Sequence, residues 1–225
     1  MIKYKGIIFG SIGTLAETSN IQRKSFNEAF KKFNLNWYWS KNEYKTLLQK
    51  SGGENRLANY AKLKNIKINT LKLRNLKTKI FNNYLKKNQL RPRSGVVSII
   101  NFCKKNNIKI GFATSTSVNN INSLFLALKK EIKKKDFNFI GNGKLVLQKK
   151  PQPDIYKAAL KKLNLNSKEC LAIEDTEESM QSALNANIKC IAFPGKLHEN
   201  KKFKGSLKII KRLNKKDIFI SLENF

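Results

Sequence analysis

Four short stretches of this sequence carry side chains suited to handling a phosphoryl group. Gly10-Ser11-Ile12-Gly13-Thr14-Leu15 offers hydroxyls and backbone N–H groups where an apolar run breaks into a turn. Ala113-Thr114-Ser115 ends a second apolar run in hydroxyls, and Ile173-Glu174-Asp175 ends a third in two adjacent carboxylates. Lys149-Lys150-Pro151-Gln152-Pro153-Asp154 sets a cation beside a proline-stiffened turn. Hydroxyl, N–H and ammonium groups suit phosphoryl oxygens. Adjacent carboxylates suit Mg2+. Each feature alone also suits a plainer role: Thr114-Ser115 and Glu174-Asp175 fit helix caps, and Lys150 fits a surface lysine.

The elements around these stretches decide whether they can meet. Lys3–Phe9 reads as a buried strand, and helices are predicted at Ile21–Phe33, Glu43–Lys50, Glu54–Leu63 and Leu71–Leu85. After the break Leu90-Arg91-Pro92-Arg93-Ser94-Gly95, helix and strand alternate. Helices are predicted at Val96–Lys105, Val118–Lys134, Asp154–Leu163 and Glu178–Ala186, and strands at Ile108–Ala113, Phe137–Ile140, Leu171–Ile173 and Ile188–Phe193. Alternation of this kind predicts an α/β fold, a doubly wound parallel sheet with helices on both faces. Ligands in such folds sit at the carboxyl ends of the strands, where three of the four stretches fall. Residues 18–88 carry no strand signal and read as an inserted α-helical domain, leaving 1–17 and 89–225 as the α/β core. Trp37-Tyr38-Trp39 reads as core of that helical insert.

Composition narrows the function classes. The 225 residues are 40% apolar, enough for a real core, and no run is long enough to cross a membrane. The N-terminus lacks the pattern of a signal peptide. Cys103, Cys170 and Cys190 form no metal-binding spacing and read as buried thiols, so a reducing, cytoplasmic compartment is expected. The net charge of +31 raises non-specific polyanion binding as a partner class. Lysine outnumbers arginine by roughly seven to one and is spread along the whole chain, which favours a solvated basic surface over a nucleic-acid site. His198, the only histidine, lies in a polar segment and is not expected to be a catalyst. A monomer is the default expectation.

Over about residues 4–193 the sequence resembles the haloacid dehalogenase superfamily, in its CbbY-like branch of sugar-phosphate phosphatases and phosphoglucomutases. IIFGSIGTLAET is similar to that family's opening strand, a hydrophobic run followed by D-x-D-G-T-L. IGFATSTS, KKPQPDIY and AIEDTEES resemble its second, third and fourth motifs, and SFNEAFKKFNLNWYWSKNEYKTLLQKSGGENR resembles the helical cap. The resemblance implies an α/β core with an inserted cap. It implies phosphate binding by Thr114, Ser115 and Lys150, substrate binding by Glu17, Tyr44, Gly52, Gly53 and Arg56, and Mg2+ binding by Glu174 and Asp175. It further implies a phosphorylated small molecule as ligand.

The departures fall at the centre. The family's nucleophilic aspartate falls on Gly10, its acid/base aspartate on Ile12, and the cap histidine on Gln22. Ser11 and Thr14 have no evident base nearby in sequence and are not expected to replace the nucleophile. The expectation is therefore a phosphatase homologue without catalytic residues, with weak or absent Mg2+ binding and with Lys150 turned onto Glu174 or Asp175. Two alternatives stand beside it: an active Mg2+-dependent phosphatase using chemistry not located here, and a basic polyanion-binding protein.

Overall fold

A computed structural model describes residues 4–48, 52–198 and 202–219. Six parallel strands form one sheet: β1 (Gly6–Phe9), β2 (Lys109–Phe112), β3 (Phe139–Ile140), β4 (Cys170–Glu174), β5 (Lys189–Ala192) and β6 (Lys208–Ile209), in the order β3-β2-β1-β4-β5-β6. The order reverses at β1, so β1 and its neighbours β2 and β4 bring the first, second and fourth motifs to one edge of the sheet. Ile7, Ile8 and Phe9 are all fully buried, as a strand covered on both faces requires.

Side chains alternate between the two faces. Ile7, Phe9, Ile110, Phe112, Leu171 and Ile173 pack on one face against helices α6 (Val96–Lys105) and α7 (Val118–Ala127). Ile8, Ala172 and Cys190 pack on the other against α8 (Asp154–Leu163) and α9 (Glu177–Asn185). The cysteines are buried free thiols, and burial pushes Cys103 and Cys170 up to about 12.

Among the described residues five helices lie between β1 and α6: the single turn α1 (Ile12–Leu15), then α2 (Ser19–Lys32), α3 (Lys41–Leu47), α4 (Gly53–Leu63) and α5 (Thr70–Lys87). Helices α2 to α5 surround an apolar cluster of their own, rich in aromatic rings. Phe26, Phe30, Trp37, Tyr44 and Tyr60 all lie within 6.0 Å of the Trp39 ring or of each other. The segment through 37–39 is extended, so neighbours point to opposite sides: Trp37 and Trp39 are buried while Tyr38 is 67% exposed. The expectation of three core aromatics is corrected to two.

Three further differences have local causes. The turn expected after β1 contains one helical turn, α1 (Ile12–Leu15), secured by the Thr14 hydroxyl donating to the Ser11 carbonyl at 2.6 Å. Helix α7 stops at Ala127 rather than running to Lys134. The Ala127 carbonyl accepts from the Leu90 N–H at 2.9 Å, and the Glu131 N–H turns to the Leu128 carbonyl instead. The mixed tail supplies a sixth strand and α10 (Lys215–Phe219), whose Ile218 and Phe219 join the core.

Candidate functional site

The loop after β1 starts the site. The Gly10 N–H donates to the Ile173 carbonyl at 3.0 Å, which holds the first turn beside the end of β4. A Cβ on Gly10 would overlap the carboxylate of Glu174, and one on Gly13 would overlap the carboxylate of Asp175. Both glycines are therefore places where a side chain of β4 or its following loop comes against bare backbone. Arg93, from the segment ahead of α6, fastens this loop from behind. Its guanidinium donates to the Gly13, Phe193 and Pro194 carbonyls at 2.9, 2.7 and 2.6 Å and lies over the Phe193 ring.

Glu174 is fully buried. Its Oε1 receives the Lys150 ammonium at 2.5 Å and the Tyr156 hydroxyl at 2.6 Å, while Oε2 has no hydrogen-bond partner. Burial pushes the Glu174 carboxyl up, against the pull of the Lys150 ammonium, and the Asp175 charge adds to the rise. Lys150 is itself buried and precedes a cis peptide bond to Pro151. Asp175 faces a different way and accepts a hydrogen bond from the Ser11 hydroxyl. Among the described residues no three His, Cys, Asp or Glu side chains come together to hold a metal ion.

A cleft of about 450 Å³ lies between the four-helix layer and these loops. The sheet side contributes Ser11, Ile12, Gly13, Thr114, Ser115, Thr116, Lys149 and Asp175. The helical side contributes Gln22, Phe26, Tyr44, Gly52, Gly53, Arg56, Arg74 and Lys77. Of the residues singled out in the sequence, Tyr44, Gly52, Gly53, Arg56, Thr114, Ser115 and Asp175 thus line one cleft. The Thr114 hydroxyl also accepts from the Thr116 N–H at 3.3 Å, and Ser117 caps α7. Burial holds the Tyr44 phenol up at about 12, so it stays a hydrogen-bond donor.

Three expected site residues stand elsewhere. Lys150 and Glu174 lie behind the cleft wall, and Lys149 is the lysine of that pair on its surface. Glu17 faces a separate groove with Arg91, Arg93 and Lys196. Burial works to raise its pKa, but hydrogen bonds from the Ser19 hydroxyl and the Lys196 and Ser19 N–H groups hold the carboxylate below its usual range. His198, expected in a polar segment, is buried and lines the cleft.

Sequence reasoning passed over Arg74 and Lys77. Both sit on α5, which reads as a long lysine-rich helix whose basic residues merge into the general charge. Their three-residue spacing puts them on one helix face, a signal present in the sequence. Lys77 is half-buried, donates to the Gln22 side-chain oxygen, and lies 4.6 and 5.1 Å from the Phe26 and Phe81 ring centroids. Burial first, then the Arg56 and Arg74 charges, bring it down to about 7.

Residues 7–193 match the model of the haloacid dehalogenase-like hydrolase family. The chain belongs to that family. It is 34% identical over 196 residues to Protein CbbY of Rhodobacter capsulatus, covering 86% of each chain. It is similar to the crystal structure of CbbY from Rhodobacter sphaeroides in complex with phosphate, with a TM-score of 0.83, 31% identity and coverage of 94% of this chain and 95% of that one. The same figures hold for a CbbY structure in complex with xylulose-1,5-bisphosphate. The chain is therefore a CbbY-like member of a phosphatase family whose members generally depend on Mg2+.

Proposed function

We propose that this chain binds a phosphorylated sugar between the helical cap, residues 18–88, and the α/β core, and that it has lost phosphoryl transfer. The observation that carries this reading is the filled space beside Gly10: the Glu174 carboxylate lies where a side chain at position 10 would stand, neutralised by Lys150.

Phosphoryl transfer through an aspartyl-phosphate needs a carboxylate as reactant, and Gly10 has no side chain to attack with. Ile12 has no proton to give to a leaving oxygen and none to take from water. Losing a nucleophile costs several orders of magnitude, and losing its partner as well adds little. The donor set does not fit Mg2+ either. Mg2+ keeps near-ideal octahedral geometry and gives up its waters reluctantly. Here Glu174 is taken by Lys150 and Tyr156, and Asp175 is engaged by Ser11. No metal-dependent step is assigned.

Binding does not need those groups. Arg56, Arg74 and Lys149 around the cleft, against Asp175, give it a positive wall for an anion. The hydroxyls of Ser11, Thr114 and Ser115 supply directional hydrogen bonds. Relatives crystallised with phosphate and with xylulose-1,5-bisphosphate support a ligand of that class. A thermal-shift screen of phosphorylated sugars with and without Mg2+ tests the reading, because a ligand of the folded state raises its stability. Stabilisation by a sugar bisphosphate that is indifferent to Mg2+ is expected. Stabilisation only with Mg2+ would contradict it.

A further inference from the structure

Lys77 differs from the other cations of the cleft in what surrounds its nitrogen. Its ammonium position is fixed by an uncharged amide, that of Gln22, and by the faces of Phe26 and Phe81. No carboxylate pairs with it among the described residues. Arg74 stands one turn before it on α5 and Arg56 on α4, so two positive charges face it as well. Asp175 and Ser11 line the opposite wall of the same cleft.

A lysine desolvated against aromatic rings and crowded by other cations is the environment that makes an amine nucleophilic. We propose that Lys77 adds to the carbonyl carbon of an open-chain sugar phosphate held in the cleft, forming a reversible imine. The proposal rests on the reading of the cleft as a sugar-phosphate site and names its ligand class as phosphorylated ketones and aldehydes. The Lys77 nitrogen lone pair forms the new C–N bond while the carbonyl π pair moves to oxygen. The nitrogen loses a proton and that oxygen gains one, giving a carbinolamine. A second proton from nitrogen leaves with the hydroxyl as water, and the C=N bond forms. No oxidant, reductant or metal takes part. The depressed pKa of Lys77, about 7, keeps a large share of the amine neutral at physiological pH. Arg56, Arg74 and Lys149 line the same cleft that the phosphates would occupy.

A ketose whose ring-closing hydroxyl carries phosphate is held in its open-chain carbonyl form, which is the form an amine can capture. This gives the cleft a means of retaining such a compound without hydrolysing it.

The test uses the full chain, with dihydroxyacetone phosphate as ketone probe and glycerol 3-phosphate as its carbonyl-free counterpart. Sodium borohydride reduces any imine, and the product is read by intact mass and peptide mapping. The expected result is one adduct, of probe mass less one oxygen, on the peptide containing Lys77. It should form about six hundredfold faster than at surface lysines near pH 7.5, following the ratio of neutral-amine fractions. Lys77→Arg should abolish it, and Lys79→Arg, on an exposed position of α5 outside the cleft, should change neither the adduct nor the thermal shift given by glycerol 3-phosphate. An adduct scattered over many lysines, or undiminished in Lys77→Arg, with the thermal shift intact would overturn the imine and leave the sugar-phosphate reading standing. Absence of both adduct and thermal shift in the parent chain would overturn both.

Discussion

The two walls of the cleft treat charge in opposite ways. On the sheet side, the ionic groups close on each other: Lys150 on Glu174, the Ser11 hydroxyl on Asp175. On the helical side, among the described residues, Arg74 meets a partly exposed carboxylate, Glu54, and Lys77 meets none. The sheet-side groups are those that resemble the family's reaction and metal machinery. The helical-side groups are those that would hold a ligand. That contrast is what the proposal of ligand binding without phosphoryl transfer rests on.

The largest expected effect lies beneath the helical wall. Trp39 is fully buried among four aromatic neighbours, so Trp39→Ala should cost about 3–5 kcal/mol in a denaturant titration. Phosphate binding should fall with it, because Tyr44 and Phe26 line the cleft. If stability falls and binding is untouched, the helical wall does not hold the ligand.

On the sheet side, Lys150→Met strands a buried carboxylate and should cost about 3 kcal/mol. Adding Glu174→Gln removes the stranded charge and keeps an acceptor for the Tyr156 hydroxyl. The double variant should recover most of that loss. A double variant as unstable as the sum of the single changes would mean that the pair is not a closed electrostatic unit.

Restoring Gly10→Asp together with Ile12→Asp should reopen the collapsed wall. The new side chain at position 10 must displace the end of Glu174, which frees that carboxylate and adds two more. A thermal shift with Mg2+ of several degrees, absent from the parent chain, is the expected outcome. An unchanged response to Mg2+ would place the defect beyond these two positions.

The last effect is a change of slope with pH. Lys77 titrates near 7 in the folded chain and near about 10.4 when unfolded. Between those values the unfolded chain holds the extra proton, so Lys77 makes stability rise with pH across that window. Its contribution is lost as pH falls through about 7. The melting temperature of Lys77→Met should rise less steeply than the parent's between pH 7 and 10. Equal slopes would mean that the lysine is not desolvated.

Much of this was legible in the sequence, for reasons that can be named. Ile7-Ile8-Phe9 reads as a strand because all three are apolar, and both faces are covered. Helices α6 and α8 begin and end where a glycine break, a proline pair and apolar spacing place them. The end of α7 was not legible, since it depends on Leu90 taking the Ala127 carbonyl from a distant part of the chain. The resemblance singled out Lys150 as the lysine turned onto Glu174 or Asp175, and it does meet Glu174; what it left unread is that Lys149 lines the cleft in its place. Lys77 was hidden by the abundance of lysine, and only its aromatic surroundings, assembled from α2 and α5, set it apart.

The most direct measurement is a continuous assay of inorganic phosphate release from xylulose-1,5-bisphosphate with Mg2+, run on protein whose binding of that compound has been verified by thermal shift. The account predicts stabilisation with no release beyond the no-protein control. Sustained multiple-turnover release, or a phosphoryl group trapped on any side chain, would contradict it.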